Sequence, residues 1–114
     1  ALEKTVKRAY EMKIKIVTGA DTGYGPNSVT RVGMEIANFV KLGMKPIDAI
    51  RSATIVGAEL LQISDRTGTV TVGKEADLVV VPDNPLEDIR SVQDVVLVIS
   101  NGAIAMNRLP FRKE

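Results

Sequence analysis

The chain contains no histidine, no cysteine and no tryptophan in its 114 residues. The missing thiols exclude a disulfide framework and any thiolate nucleophile or metal ligand, and they suit a reducing compartment. The missing imidazoles remove the commonest general base and the commonest metal ligand. Aromatic residues make up only 4%, so the stacking platforms of a single-strand nucleic-acid binder are lacking, and a core has to be built from Val, Ile, Leu, Met and Ala. Charge of neither sign dominates: 15 Lys and Arg stand against 14 Asp and Glu, and the basic residues are scattered. That leaves no electrostatic case for a nucleic-acid or anionic-membrane partner. No apolar run approaches the roughly 18 residues of a membrane span, and ALEKTVKRAYEMK at the N-terminus is a charged helical stretch rather than a signal peptide. The expectation is a cytoplasmic chain. It begins with Ala and enters helix at once, which suggests a start within something longer.

With 45% apolar and 25% charged residues, the chain can bury enough surface to order one small domain. Leu2, Val6, Ala9, Tyr10 and Met12 recur at helical spacing and predict a helix over 2–12. The apolar stretch Ile14 to Val17 reads as a buried strand, and the glycine-rich GADTGYGPNS after it as a loop. Asn27 or Ser28 can cap a helix whose apolar face is Val29, Val32, Ile36, Phe39 and Val40 and which stops at Gly43. Pro46 opens a second helical stretch over 46–62. Its β-branched run Thr54, Ile55, Val56, followed by Gly57, predicts a break into two short helices. Beyond Asp65 the period changes to two. TVTV at 69–72, ADLVVV at 76–81 and VVLVIS at 95–100 read as strands, and Asn101-Gly102 as a type I′ hairpin turn. The fold class is therefore α+β, divided near 63–67 into units 1–64 and 65–114.

Two features could carry chemistry. TGADTGYG, residues 18–25, has a Gly-x-x-x-Gly-x-Gly spacing between a strand and a helix, where glycines let the backbone approach a pyrophosphate. A nucleotide-binding domain then requires a second parallel strand, yet the next elements are helical, and no Tyr-x-x-x-Lys pair follows. Asp21 sits just past the strand end, where a carboxylate can point into a site; an Asx turn or a cap is the ordinary role of such a residue. Glu35, Asp48 and Glu59 fall on solvated helix faces, and Asp83, Glu87 and Asp88 lie in a turn-rich segment, so no second carboxylate converges on Asp21 by spacing.

The order of these pieces resembles the C-terminal end of the amidohydrolase superfamily, nearest the imidazolonepropionase-like and Xaa-Pro-dipeptidase-like metal-dependent hydrolases. The residues that carry the likeness are GADTG at 19–23, GMKPIDAIRSAT at 43–54, AELL at 58–61, GTVTVGKEADLVVVPDNPLEDI at 68–89 and VISNG at 98–102. The resemblance implies that 13–18 form the last strand of a (β/α)8 barrel, that the helices after it close the barrel, and that the strands from 69 onward belong to a small flanking β-sandwich. It implies hydrolysis of an amide or peptide C–N bond with a divalent metal, zinc being expected. Asp21 would be the acid that binds the metal and takes the proton of the attacking water.

The family's His-x-His pair, its lysine and its two further histidine ligands have no counterpart here, so no metal is expected to bind the chain alone and no activity is expected of it. Three other arrangements remain open on the sequence: an N-terminal partner chain supplying the histidines to a split enzyme, a non-catalytic binding or structural module, and the nucleotide-binding domain. On the resemblance, the sandwich partners of Val79, Val81, Val95, Leu97 and Ile99 lie outside this chain, so these residues need cover and self-association of the isolated chain through the β half is expected.

Overall fold

The computed structural model describes residues 2–19 and 31–109. Helix α1 (Leu2–Glu11) leads into a stretch without regular pairing, followed beyond residue 30 by α2 (Val32–Lys41), α3 (Pro46–Ser52) and α4 (Ile55–Leu60). Strands β1 (Leu78–Val80), β2 (Leu97–Ser100) and β3 (Ala103–Asn107) form one antiparallel sheet in that order. A 3-10 helix (Ile89–Gln93) lies between β1 and β2. No helix among the described residues is long and apolar enough to cross a membrane.

Three helices end in the same way. At α2 the Met44 N–H bonds the Phe39 carbonyl and the Gly43 N–H bonds that of Val40, with Gly43 at φ +107°. This is the Schellman arrangement, which needs one residue in the left-handed region. Lys13 (φ 60°) ends α1 and Gln62 (φ 59°) ends α4 with equivalent bond pairs, although neither is glycine. The break between α3 and α4 falls at Ala53 and Thr54. There the Thr54 hydroxyl donates back to the Ile50 carbonyl at 3.0 Å, and its backbone leaves the helical region. Pro46 occupies the first turn of α3, as the sequence suggests, and Lys45 precedes it without a side-chain cap.

The core lies on the helical side. Ile36 and Phe39 of α2 bury against Met44 and Ala49, with Val6, Tyr10, Ile16, Ile50, Ile89 and Val92 packed around them. Gly33 is what lets the 3-10 helix come so close to α2: a Cβ there would stand 2.8 Å from the Val92 carbonyl oxygen. Asp88 caps that 3-10 helix by accepting the Arg90 N–H, and it also holds the Arg90 guanidinium through two bonds of 2.8 and 2.9 Å. These bonds favour the ionised carboxylate and lower its pKa. Ser91 is buried; its hydroxyl donates to the Asp83 carbonyl and accepts the Asp83 N–H.

The hairpin is as the sequence indicates. Asn101 (φ 47°) and Gly102 (φ 79°) both have positive φ, as a type I′ turn requires. The flanking pairs run Val98 to Met106 and Ser100 to Ala103, with an irregularity after Val98.

Several expectations need correction. Residues 14–17 form no β-ladder, because no neighbouring strand lies beside them among the described residues. TVTV at 69–72 is not a strand either. Thr69 and Thr71 bond each other at 2.8 Å, while Val70 and Val72 project outward at 88% and 101% exposure. The strands read over 76–81 and 95–100 shorten to 78–80 and 97–100. Of the valines and leucines expected to be uncovered, Val79 is exposed, but Val81, Val95, Leu97 and Ile99 are half-buried. The proposed caps Asn27 and Ser28, with Val29, lie outside the described residues; α2 begins after Arg31, whose side chain makes no cap bond.

Candidate active site

Asp21, the one candidate catalytic and metal-binding residue of the sequence reading, lies outside the described residues, as does TGADTGYG except Thr18 and Gly19. What the structure gives is the approach to it. The apolar stretch after α1 turns Ile16 into the core and brings the Val17 side chain against Gly57 of α4. Lys15 reaches Glu59 at 3.1 Å, an exposed pair of little weight in stability.

At its far end the stretch is tied at two consecutive amides. The Thr18 N–H donates to the Ser52 carbonyl at 3.1 Å, and the Gly19 N–H donates to Oε2 of Glu35 at 3.1 Å. Ser52 is itself fully buried, its hydroxyl turned onto the Ala49 carbonyl at 2.6 Å. The C-terminal end of α3 and the first turn of α2 thus hold the chain two residues before Asp21.

The other acids have partners that the sequence reading missed. Glu35 and Asp48 keep contact with solvent but have partners: Glu35 accepts the Gly19 N–H, and Asp48 accepts the Tyr10 hydroxyl at 2.7 Å. Tyr10 in turn accepts the Lys45 N–H, and so links α1 to the start of α3. Its bond to Asp48 favours the protonated phenol and raises its pKa. No spacing rule could have found these contacts, because their partners lie 16 to 38 residues apart.

The segment GKEADLVV, which most sets this sequence apart, does structural work in the described residues. Lys74 Nζ donates to the Ser64 carbonyl at 2.7 Å, the Glu75 N–H to that of Arg66 at 2.8 Å, and Asp77 joins two distant points. It accepts the Thr67 hydroxyl at 3.0 Å with one oxygen and the Asn101 N–H of the hairpin at 2.8 Å with the other. In NPLED, Asn84 makes an Asx turn by accepting the Leu86 N–H. No group of three or more acidic, histidine or cysteine residues among the described residues could hold a metal ion. An open groove of about 520 Å³ runs between α2 and the 3-10 helix, lined in part by Met34, Val40, Pro46 and Ile89, and the acid Asp88 at its edge is already occupied by Arg90.

The amidohydrolase family model matches residues 3–105. The chain belongs to the amidohydrolase family. Ochratoxinase of Aspergillus niger is 34% identical over 103 residues, covering 82% of this chain and 20% of that protein. Among solved structures, a Xaa-Pro dipeptidase with bound methionine in the active site superposes with TM-score 0.83 at 37% identity, over 92% of this chain and 25% of the other. A putative prolidase from Bifidobacterium longum gives TM-score 0.82 at 33% identity, over 99% of this chain and 28% of the other. This amidohydrolase chain therefore spans about a quarter of those structures and a fifth of the ochratoxinase. The described α+β arrangement is the part of a barrel-fold family that it represents. The sheet of the described residues is antiparallel throughout, whereas that of a dinucleotide fold is mostly parallel.

Proposed function

We propose that the chain is the C-terminal portion of a metal-dependent hydrolase acting on amide or peptide C–N bonds, and that Asp21 is the catalytic acid it brings to the site. In this reading residues 1–64 supply the last barrel strand and the closing helices, and 65–114 supply strands of the flanking sandwich. The observation that carries it is the family match over 3–105, supported by the likeness to a Xaa-Pro dipeptidase and to ochratoxinase. The double tether at Thr18 and Gly19 agrees with a segment whose end has to be placed with care.

A divalent metal does not fit this chain's residues by themselves. A zinc site draws on at least three protein ligands, whereas the sequence has no histidine or cysteine and the described acids do not converge. The chain alone therefore carries out no hydrolytic step, and the remaining ligands come from outside it. The test has two arms. The purified 114-residue chain, assayed on Xaa-Pro dipeptides and N-acyl amino acids, should show no turnover above background. In the complete enzyme that carries this segment, Asp21→Asn keeps the side-chain shape while removing the proton acceptor, and should lower turnover by about 10²–10⁴-fold. A near-normal rate in that variant would mean that Asp21 is only a turn residue.

A further inference from the structure

We infer that Asn101-Gly102, at the tip of the hairpin, is a site of spontaneous modification: an asparagine set to close an imide with the next amide, and held back by residues 76–77. Asn101 is the one asparagine of the chain that precedes glycine, so no side chain crowds the amide nitrogen that attacks it. Both residues are exposed, and nothing lies within 4 Å of the place a Cβ on Gly102 would take. The two backbone amides of the turn are nevertheless fastened, and to adjacent residues. The Asn101 N–H donates to Oδ1 of Asp77 at 2.8 Å, and the Gly102 N–H donates to the Ala76 carbonyl at 3.0 Å. Asp77 is itself held at its other oxygen by the Thr67 hydroxyl. The nucleophile is therefore engaged, and the left-handed backbone of Asn101 (φ 47°) is fixed by the turn, for as long as these bonds persist.

The reaction consumes only water. The Gly102 nitrogen bonds to Cγ of Asn101, the bond from Cγ to the side-chain nitrogen breaks, and ammonia leaves with the proton that the Gly102 amide gives up. Water then opens the five-membered imide at one carbonyl or the other, leaving aspartate or isoaspartate. Both products weaken the hairpin. Aspartate brings a second negative charge to the residue whose N–H Asp77 holds, and like charges so near repel. Isoaspartate lengthens the main chain by one atom, which breaks the pairing of Ser100 with Ala103. Because the bond to Asp77 is an exposed single contact, modification at 101 tracks local opening of the β half rather than unfolding of the helical core.

The test compares rates. The purified 114-residue chain is kept in mildly alkaline buffer with and without denaturing urea, its folding is followed by circular dichroism, and isoaspartate is assigned by mass spectrometry in the tryptic peptide 91–108. That peptide also carries Asn107, whose neighbour Arg108 crowds the attacking nitrogen, as an internal reference. Two hydrogen bonds of ordinary strength, each a factor of about 2–10, have to open before the attack. Asn101 should thus react about 5–100-fold more slowly in the folded chain than in urea, and ahead of Asn107 in urea. Asp77→Ala removes one of the two bonds and should raise the folded rate about 2–10-fold while leaving the rate in urea unchanged. Should that variant fail to fold, Thr67→Val takes its place; it frees the other oxygen of Asp77 and should raise the folded rate about twofold. No isoaspartate at 101 in urea, equal rates with and without urea, or a folded rate indifferent to these substitutions would each overturn the inference.

Discussion

The helical half and the β half of this chain are held together by different means. From α1 to α4 the structure is built on burial: Ile36, Phe39, Met44, Ala49 and Ala58 are all withdrawn from solvent. Beyond residue 63 the only buried residue among those described is Ser91, and order comes from single hydrogen bonds such as those of Lys74, Asp77, Asp88 and Ser91. The sheet shows the same contrast. The pairing of Val79 with Val98 and of Leu78 with Ile99 puts apolar side chains on both faces, yet no strand residue is buried. An antiparallel sheet that stands alone normally shows one apolar and one polar face. This sheet instead presents apolar side chains on both faces.

The largest expected effect tests the helical half directly. Phe39 is 7% exposed at the centre of the α2 packing, and Phe39→Ala should cost about 3–5 kcal/mol, a large share of the roughly 5–15 kcal/mol by which domains are ordinarily stable. Chemical denaturation followed by circular dichroism measures it. A loss below about 1 kcal/mol would show that this cluster is not what holds the helices.

The same contrast explains what was legible in the sequence. Periodicity located all four helices, because core burial of one face is what creates that signal: Ile36 and Phe39 were on the expected face. The α2 end was readable from Gly43; the other two ends were placed at 12 and 62, within two residues of where they fall, but the left-handed geometry of Lys13 and Gln62 was not foreseen, since such residues other than glycine leave no mark in the sequence. The hairpin turn was readable because Asn101-Gly102 fits only one geometry well. The strands were read too long and one too many, because alternation such as TVTV reports what a segment could pair with, whereas a ladder also needs a partner, and Val70 and Val72 have none among the described residues. Asp21 was singled out by resemblance and lies outside the described residues. The contact of Glu35 with Gly19 was passed over because it spans 16 positions.

Within the β half the strongest single element should be Ser91. Its buried hydroxyl both donates to and accepts from the backbone of the exposed Asp83, at 2.9 and 3.1 Å. Ser91→Ala removes the partner of both Asp83 groups and should cost about 0.5–1.5 kcal/mol, less than Phe39→Ala. Because Ser91 lies on the 3-10 helix that packs on α2, faster hydrogen exchange should spread from the Asp83 and Leu86 amides into the first turns of α2. Unchanged exchange and stability would mean that the 3-10 helix is held by Ile89 and Val92 alone.

The smallest effect on folding should come where the sequence reading was most misled. Val70→Thr with Val72→Thr preserves side-chain volume and β-branching while removing apolar surface from two residues that are 88% and 101% exposed. Neither side chain packs on a core, so the change in stability should stay within about 0.5 kcal/mol. Association is another matter. Exposed apolar β segments and open strand edges invite pairing, and the unmodified chain is expected to form dimers or larger species through its β half. The paired threonine variant should then show a weaker tendency to associate in sedimentation equilibrium across a concentration series, with an unaltered thermal transition at low concentration. Equal association in both chains would move the contact to Val79 and Ile104 on the sheet itself. A well-folded monomer of the unmodified chain at high concentration would remove self-association altogether and would favour a self-sufficient, non-catalytic module.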